Sequence, residues 1–168
     1  MGGTTRTVTP VPLDAASWEP FGWLPVPDTD DADGRHRLEF LSGDVHVNRI
    51  SHRLDEVPAV AGGLGCRELF RHVTHTQVLM SLDAWAVIAV APPDVAMDSP
   101  ADADTVVAFL LRPLEAVVLH RGTWHWGPYP VGTGSVELFN VQGLRYREDN
   151  ERVDLGALGA GVDILLAG

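Results

Sequence analysis

From His36 to Gly143 the chain is a succession of short β-prone runs, each cut off by glycine, proline or aspartate turns. That punctuation constrains the fold more than any other feature. Seven or eight strands at close spacing, with turns between them, predict an all-β sandwich or barrel. The runs fall at residues 36–41, 43–52, 77–82 (with 68–71 leading into it), 85–91, 106–111, 116–119 and 136–143. Val45, Val47 and Ile50 partly alternate with His46, Asn48 and Arg49, the pattern of a half-buried strand. Residues 85–91 are apolar throughout and predict a strand buried on both faces.

The remaining segments are connections and ends. Asp14 predicts an N-cap for a short helix over residues 15–19, stopped by Pro20 and Gly22. Residues 1–12 read as a loose leader or an edge strand at Thr7-Val8-Thr9. Residues 25–34, 58–65 and 92–104 read as loops, and the glycine-rich apolar stretch 155–166 as a closing helix or strand. No βαβ alternation and no G-x-x-x-x-G-K-[ST] loop is present, which argues against a Rossmann-type domain and a nucleotide cofactor.

Composition narrows the function classes. A length of 168 residues with 45% apolar and 21% charged content suits one domain with its own core. The net charge is −11, and such a surface repels phosphate backbones, so nucleic acid is not an expected partner. All 12 basic residues are arginine, which excludes lysine Schiff-base chemistry. Cys66 is alone, forms no intrachain disulfide, and reads as a small buried residue. No apolar run has membrane-spanning length and the first residues lack a signal-peptide layout, so the expected location is the cytoplasm.

Four of the seven histidines sit in two clusters. The first is Arg71-His72-Val73-Thr74-His75-Thr76-Gln77 and the second is His120-Arg121-Gly122-Thr123-Trp124-His125. Side chains two apart on a strand share a face, so His75, Gln77 and Leu79 form one row with His72 at its mouth. Imidazoles and a carboxamide suit a borderline divalent metal. A neutral histidine is equally the natural general base near pH 7. His46, opposite Val45 and Val47, joins the site if its face is the lumen, and Glu115 and Glu137 are candidate acids. Trp18, Trp23 and Trp85 read as packing residues, and His36 and His52 as exposed.

The second cluster resembles the cupin motif P-x-G-x-x-H, with His120 in the proline position, and His72 to Gln77 resembles the end of the first cupin motif, with glutamine for glutamate. Within the cupins the chain is most similar to the ureidoglycolate lyase family. That family carries R-H-P-x-x-[ST]-Q and Y-H-R-x-x-W-H-H-P segments. Leu13-Asp14-Ala15, Pro20-Phe21-Gly22, Val47-Asn48-Arg49 and Val107-Ala108-Phe109 extend the similarity over roughly residues 13–145. Val73, Trp126 and the Gln142-Gly143 pair depart from the pattern; the last replaces an Asp-Arg pair.

The resemblance implies a single cupin-like domain over 1–168: a double-stranded β-helix barrel (jelly roll) with a short N-terminal helix and a core of about 13–155. It implies a lyase that splits ureidoglycolate, a purine breakdown product, into glyoxylate and urea. His72, His75, His120 and His125 are the candidate catalytic residues. Arg71, Arg121, Gln77, Trp124, His46 and Gln142 are the candidate substrate contacts, the arginines as carboxylate anchors. His72, Gln77 and His125 are the candidate ligands of a divalent metal ion. The expected partners are a small-molecule substrate and a second copy in a homodimer, with no nucleic acid and no membrane. The departures leave open a diverged cupin enzyme (an isomerase, cyclase or dehydratase) or a non-catalytic small-molecule-binding cupin.

Overall fold

The computed structural model describes residues 3–27 and 34–166. Strands β1 (Thr4–Val8) and β2 (Val11–Pro12), helix α1 (Ala15–Trp18) and β3 (Gly22–Trp23) lead into β4 (Val45–Arg53). Then follow β5 (Ala59–Val60), β6 (Gly63–Cys66), β7 (Glu68–His72), β8 (Gln77–Ser81), β9 (Ala86–Ala91) and β10 (Val107–Leu111). The last are β11 (Ala116–Leu119), β12 (Trp124–Pro130), β13 (Ser135–Gly143), β14 (Asn150–Asp154) and β15 (Ala160–Leu165). Among the described residues no helix is long and apolar enough to cross a membrane.

Two sheets form the walls of a cupin-type barrel: β14-β7-β12-β9-β10-β2 and, facing it, β3-β11-β8-β13-β4. A third sheet, β1-β15-β6-β5, packs outside the first wall. β9 is buried along its whole length because it lies in the middle layer. Ile88 and Val90 turn inward against Leu79, Phe109 and Leu119, while Val87, Ala89 and Ala91 turn outward against Val162 and Ile164 of β15. Each of the valine, leucine, isoleucine and phenylalanine side chains among these contributes about 1.5–3 kcal/mol by leaving water.

Strand alternation sets the lumen. β13 buries Val136, Leu138, Asn140 and Gln142 and leaves the residues between them more exposed. It pairs with β4 in unbroken antiparallel register from Ser135↔Arg53 to Gly143↔Val45. His46, Asn48, Ile50 and His52 therefore line up with the buried row of β13. The Asp14 carboxylate caps α1 by accepting from Ala16 N at 3.0 Å and Ser17 N at 3.1 Å. This single turn delivers Trp18, fully buried, whose Nε1 donates to Val118 O at 3.1 Å and whose ring meets Phe109 edge-on at 5.1 Å.

Among the described residues no sheet covers the outer face of the second wall. Trp23, Val118, Val78, Val141 and Val47 lie in one cross-strand row over all five of its strands.

Some elements differ from expectation. Residues 36–41 are not a strand: Phe40 makes one bridge to His75, and the segment is held by Thr76 N to Glu39 O and Leu41 N to Thr74 O, both 2.9 Å. Residues 58–65 hold the β5–β6 hairpin, turning at Gly62 with φ +78°. Residues 124–130 are a strand despite two prolines, with a bulge between Trp126 and Tyr129 where register shifts. The closing segment, expected as a helix or a strand, is the strand β15, and β1 pairs parallel to it.

Candidate functional site

The two histidine clusters meet because the chain crosses between walls at residues 73–76. β7 ends at His72 in the first wall and β8 begins at Gln77 in the second. β12 lies beside β7, with His125 opposite Phe70, so the His72 and His125 rings come to 5.4 Å. Gly122 N donates to His72 O at 2.7 Å and docks the second cluster on the first. Gly122 has φ +81°, and a Cβ there would press to 3.3 Å of Pro93 Cβ, so glycine is required.

A cavity of about 260 Å³ opens at this junction, bounded by His52, His72, Gln77, His125, Gln142 and Tyr146 among others. His125 Nδ1 faces Thr123 O at 3.1 Å. A carbonyl only accepts, so Nδ1 carries the proton and Nε2 keeps its lone pair. Burial pushes the His125 pKa down to about 4 against the opposing Thr123 hydrogen bond. Burial, then the nearby His125 and His75, push His72 down to about 2. Both are neutral imidazoles at physiological pH.

His75 forms the next layer. Its ring stacks on His72 at 4.6 Å and on Phe40 at 6.4 Å. Its Nδ1 stands 3.2 Å from Asp149 Oδ2, and Asp149 is fixed by Val73 N, Thr74 N and Thr74 Oγ1. Burial lowers the His75 pKa and outweighs Asp149, which raises it. A Cβ at Gly143 would fall 2.6 Å from His75 Nδ1, so only glycine lets β13 pass this ring. A second cavity of about 360 Å³, on the outer side, is bounded by Thr74, His75, Arg145 and Asp149 among others.

His72, His75 and Asp149 offer ligand atoms that all lie within 4.8 Å of one another, a cluster able to hold a metal ion. Buried His72 Nδ1 and His75 Nε2 have no hydrogen-bond partner, which fits a divalent cation. Asp149 Oδ2 already faces three donors, so its part is to orient His75 from behind. This cluster differs from the expected His72, Gln77 and His125 set, because His75 packs on His72 whereas Gln77 starts the opposite wall.

Of the expected site residues, His72, Gln77, His125 and Gln142 share the cavity wall. His46 lies on the inward row beside Gln142, its ring 6.4 Å from Tyr146, and does not border the cavity. Six further expected residues do not border the cavity, and alternation and turn geometry place them elsewhere. Arg71 points away from the lumen, donates to Glu151 at 2.6 Å and covers the Trp124 ring at 4.3 Å. Trp124 packs between the first wall and the outer sheet, with Nε1 donating to Val95 O at 2.9 Å. Arg121 is held by Glu39 at 2.6 Å and Val73 O at 3.3 Å. His120 lies in the turn before β12 against Trp23, 5.5 Å between rings. Glu137 faces outward to Arg49 at 2.9 Å, and Glu115 pairs with Arg112 at 3.0 Å.

His52, expected to be exposed, borders the cavity, as do Tyr129, Tyr146 and Asn150. His52 Nδ1 meets Pro128 O at 2.7 Å and its ring stacks on Tyr129 at 4.9 Å. The signal for His52 was in the sequence: it shares strand parity with His46. Tyr129 carried a signal too: it shares sequence parity with His125 and, as expected of an aromatic narrowing the mouth, borders the cavity beside Trp126.

A barrel of this topology, with imidazoles from both clusters converging in its lumen, defines a cupin-type protein. More narrowly, the chain belongs to the ureidoglycolate lyase family, whose profile matches residues 30–158. No curated protein matches the sequence. Among solved structures it is similar to Peruvianin-I, a cysteine peptidase from Thevetia peruviana latex, at 12% identity and a TM-score of 0.40. That similarity covers 64% of this chain and 60% of the other, so less than two thirds of Peruvianin-I is spanned.

Proposed function

We propose that this family member cleaves the C–N bond of a small hydroxy-acid amide, ureidoglycolate being the reference substrate. The observation that supports the reading is the approach of His72 and His125 inside one lumen, with the tautomer of His125 fixed by Thr123 O. His125 Nε2 takes the proton of the substrate hydroxyl. The C–N bond breaks as the C=O of glyoxylate forms, and the same proton passes to the departing nitrogen, giving urea. His72 borders the reacting group, and Tyr129 and Trp126 wall off water. A divalent cation, where bound, would sit on His72 and His75 and polarise a substrate oxygen. The test is release of urea and glyoxylate from ureidoglycolate by the folded protein. No release would overturn the reading.

One observation favours the diverged-enzyme alternative. Among the described residues no arginine borders the lumen cavity, so a substrate carboxylate would meet Tyr146 and Asn150 in place of a guanidinium. A family enzyme acting on an uncharged hydroxy amide fits that wall, and a panel of such amides assayed beside ureidoglycolate separates the two.

The exposed β4 end of the second wall's outer face supports a homodimer: Val47 there is 58% exposed, whereas Val118 on β11 is buried. The strand positions of this face carry Arg49, Arg53 and Glu137 around the apolar row, so it lacks the acidic excess of a chain with net charge −11. Two copies of this face meet without the repulsion that the remaining surface would impose.

A further inference from the structure

The lumen contains a chain of side-chain amides that the mechanism above does not use. Gln77 on β8, Asn140 and Gln142 on β13 and Asn48 on β4 share the inward face in register. Asn140 Nδ2 donates to Asn48 Oδ1 at 2.7 Å. Gln77 Nε2 donates to Asn140 Oδ1 at 2.9 Å and to Gln142 Oε1 at 3.3 Å. Both hydrogens of the Gln77 amide are thereby engaged. Its Oε1 is buried and meets no donor, although Gln77 borders the cavity. Reversing the amide would leave two unmet N–H donors in place of one unmet carbonyl, so the chain holds this orientation. His125 Nδ1 faces a carbonyl, as does His52 Nδ1, which leaves an acceptor nitrogen on each ring. Gln77, His52 and His125 therefore offer acceptors around one cavity, and the group they match is a hydrogen-bond donor.

We propose that Gln77 Oε1 is the subsite for a ligand's terminal NH2, that of a primary amide or ureido group, and that Asn140 and Asn48 are positioning residues that keep this oxygen turned to the ligand. The proposal rests on the C–N lyase reading for the substrate's class, and it names the residue that recognises the carbamoyl end. Where glutamine stands for the glutamate of the related motif, the wall accepts N–H bonds without adding a charge.

The test compares two probes of one shape, N-carbamoylglycine and N-acetylglycine, which differ by NH2 against CH3. Titration calorimetry on the full chain should show the carbamoyl probe bound about tenfold or more tightly, since only it satisfies the buried oxygen. Gln77→Met should erase that preference while leaving the acetyl probe within about twofold of its wild-type affinity. Asn140→Asp, whose oxygen still accepts from Gln77 Nε2, should keep the preference. Equal affinities in the wild type, binding of neither probe, or a preference that survives Gln77→Met overturns the proposal. The wild-type comparison stands by itself if Gln77→Met does not fold. A clear carbamoyl preference without urea release from ureidoglycolate would remove the lyase reading alone, and release without the preference would remove the subsite alone.

Discussion

Asp149 Oδ2 stands 3.2 Å from His75 Nδ1, although 73 residues separate the two in the chain. The same carboxylate accepts from Val73 N, Thr74 N and Thr74 Oγ1, so it fixes the crossing between walls as well as the ring. Asp149→Ala should lower unfolding stability by about 1–3 kcal/mol, because the part-buried Thr74 donors and the buried His75 ring lose a charged acceptor. Asp149→Asn should lose less. Chemical denaturation measures both, and a change below 0.5 kcal/mol in Asp149→Ala (about the scatter of a neutral surface change) would contradict this role.

Acid should destabilise the fold through its buried imidazoles. The folded pKa is about 4 for His125 and about 2 for His72, both below the ordinary value of 6.5. The unfolded chain therefore binds protons first. The stability of the neutral rings is complete above pH 6.5 and is lost as pH falls, through about 4 for His125 and about 2 for His72. Between those limits each ring contributes a slope approaching about 1.4 kcal/mol per pH unit. His125→Asn should remove one ring's share of the slope measured by denaturation at pH 6 to 4.5. An unchanged slope would show that His125 is not a buried neutral ring.

Two residues of the second cluster should differ in their effect on turnover. His125→Ala should reduce urea release by at least about 10²-fold, the scale of a lost general base. Arg121→Met should leave it within about twofold, since its guanidinium is engaged by Glu39 and Val73 outside the lumen. A severe loss in Arg121→Met would return that residue to the site.

Trp18 should be the most sensitive packing residue of the N-terminal segment. Its ring is fully buried between Phe21 and Phe109, and its Nε1 is bonded to Val118 O. Trp18→Ala should cost about 3–5 kcal/mol. Thermal and denaturant unfolding would report it, and a loss under 1 kcal/mol, less than about a third of that range, would mean the barrel is closed by other residues.

Val47 tests the bare sheet face. It is 58% exposed at the β4 end of the apolar row. Val47→Glu places a charge in the proposed dimer contact and should shift sedimentation equilibrium from dimer to monomer without changing thermal stability at low concentration. A monomeric wild type would remove the homodimer.

The sequence by itself determined the β class, the Asp14 cap, the doubly buried run at 85–91 and the parity of each strand. These are local properties: a cap depends on one carboxylate two and three residues from the amides it meets, and a pleat alternates whatever it packs against. Parity already placed His46 and His52 on one face and separated His72 from Arg71. What parity cannot say is which face becomes the lumen. Only the tertiary structure decided that, because the outer sheet covers the other side of the first wall and turns Trp124 and Arg71 away from the cavity. It also decided the Asp149–His75 contact, the amide chain across three strands and the register shift between Trp126 and Tyr129, since each depends on segments distant in sequence meeting.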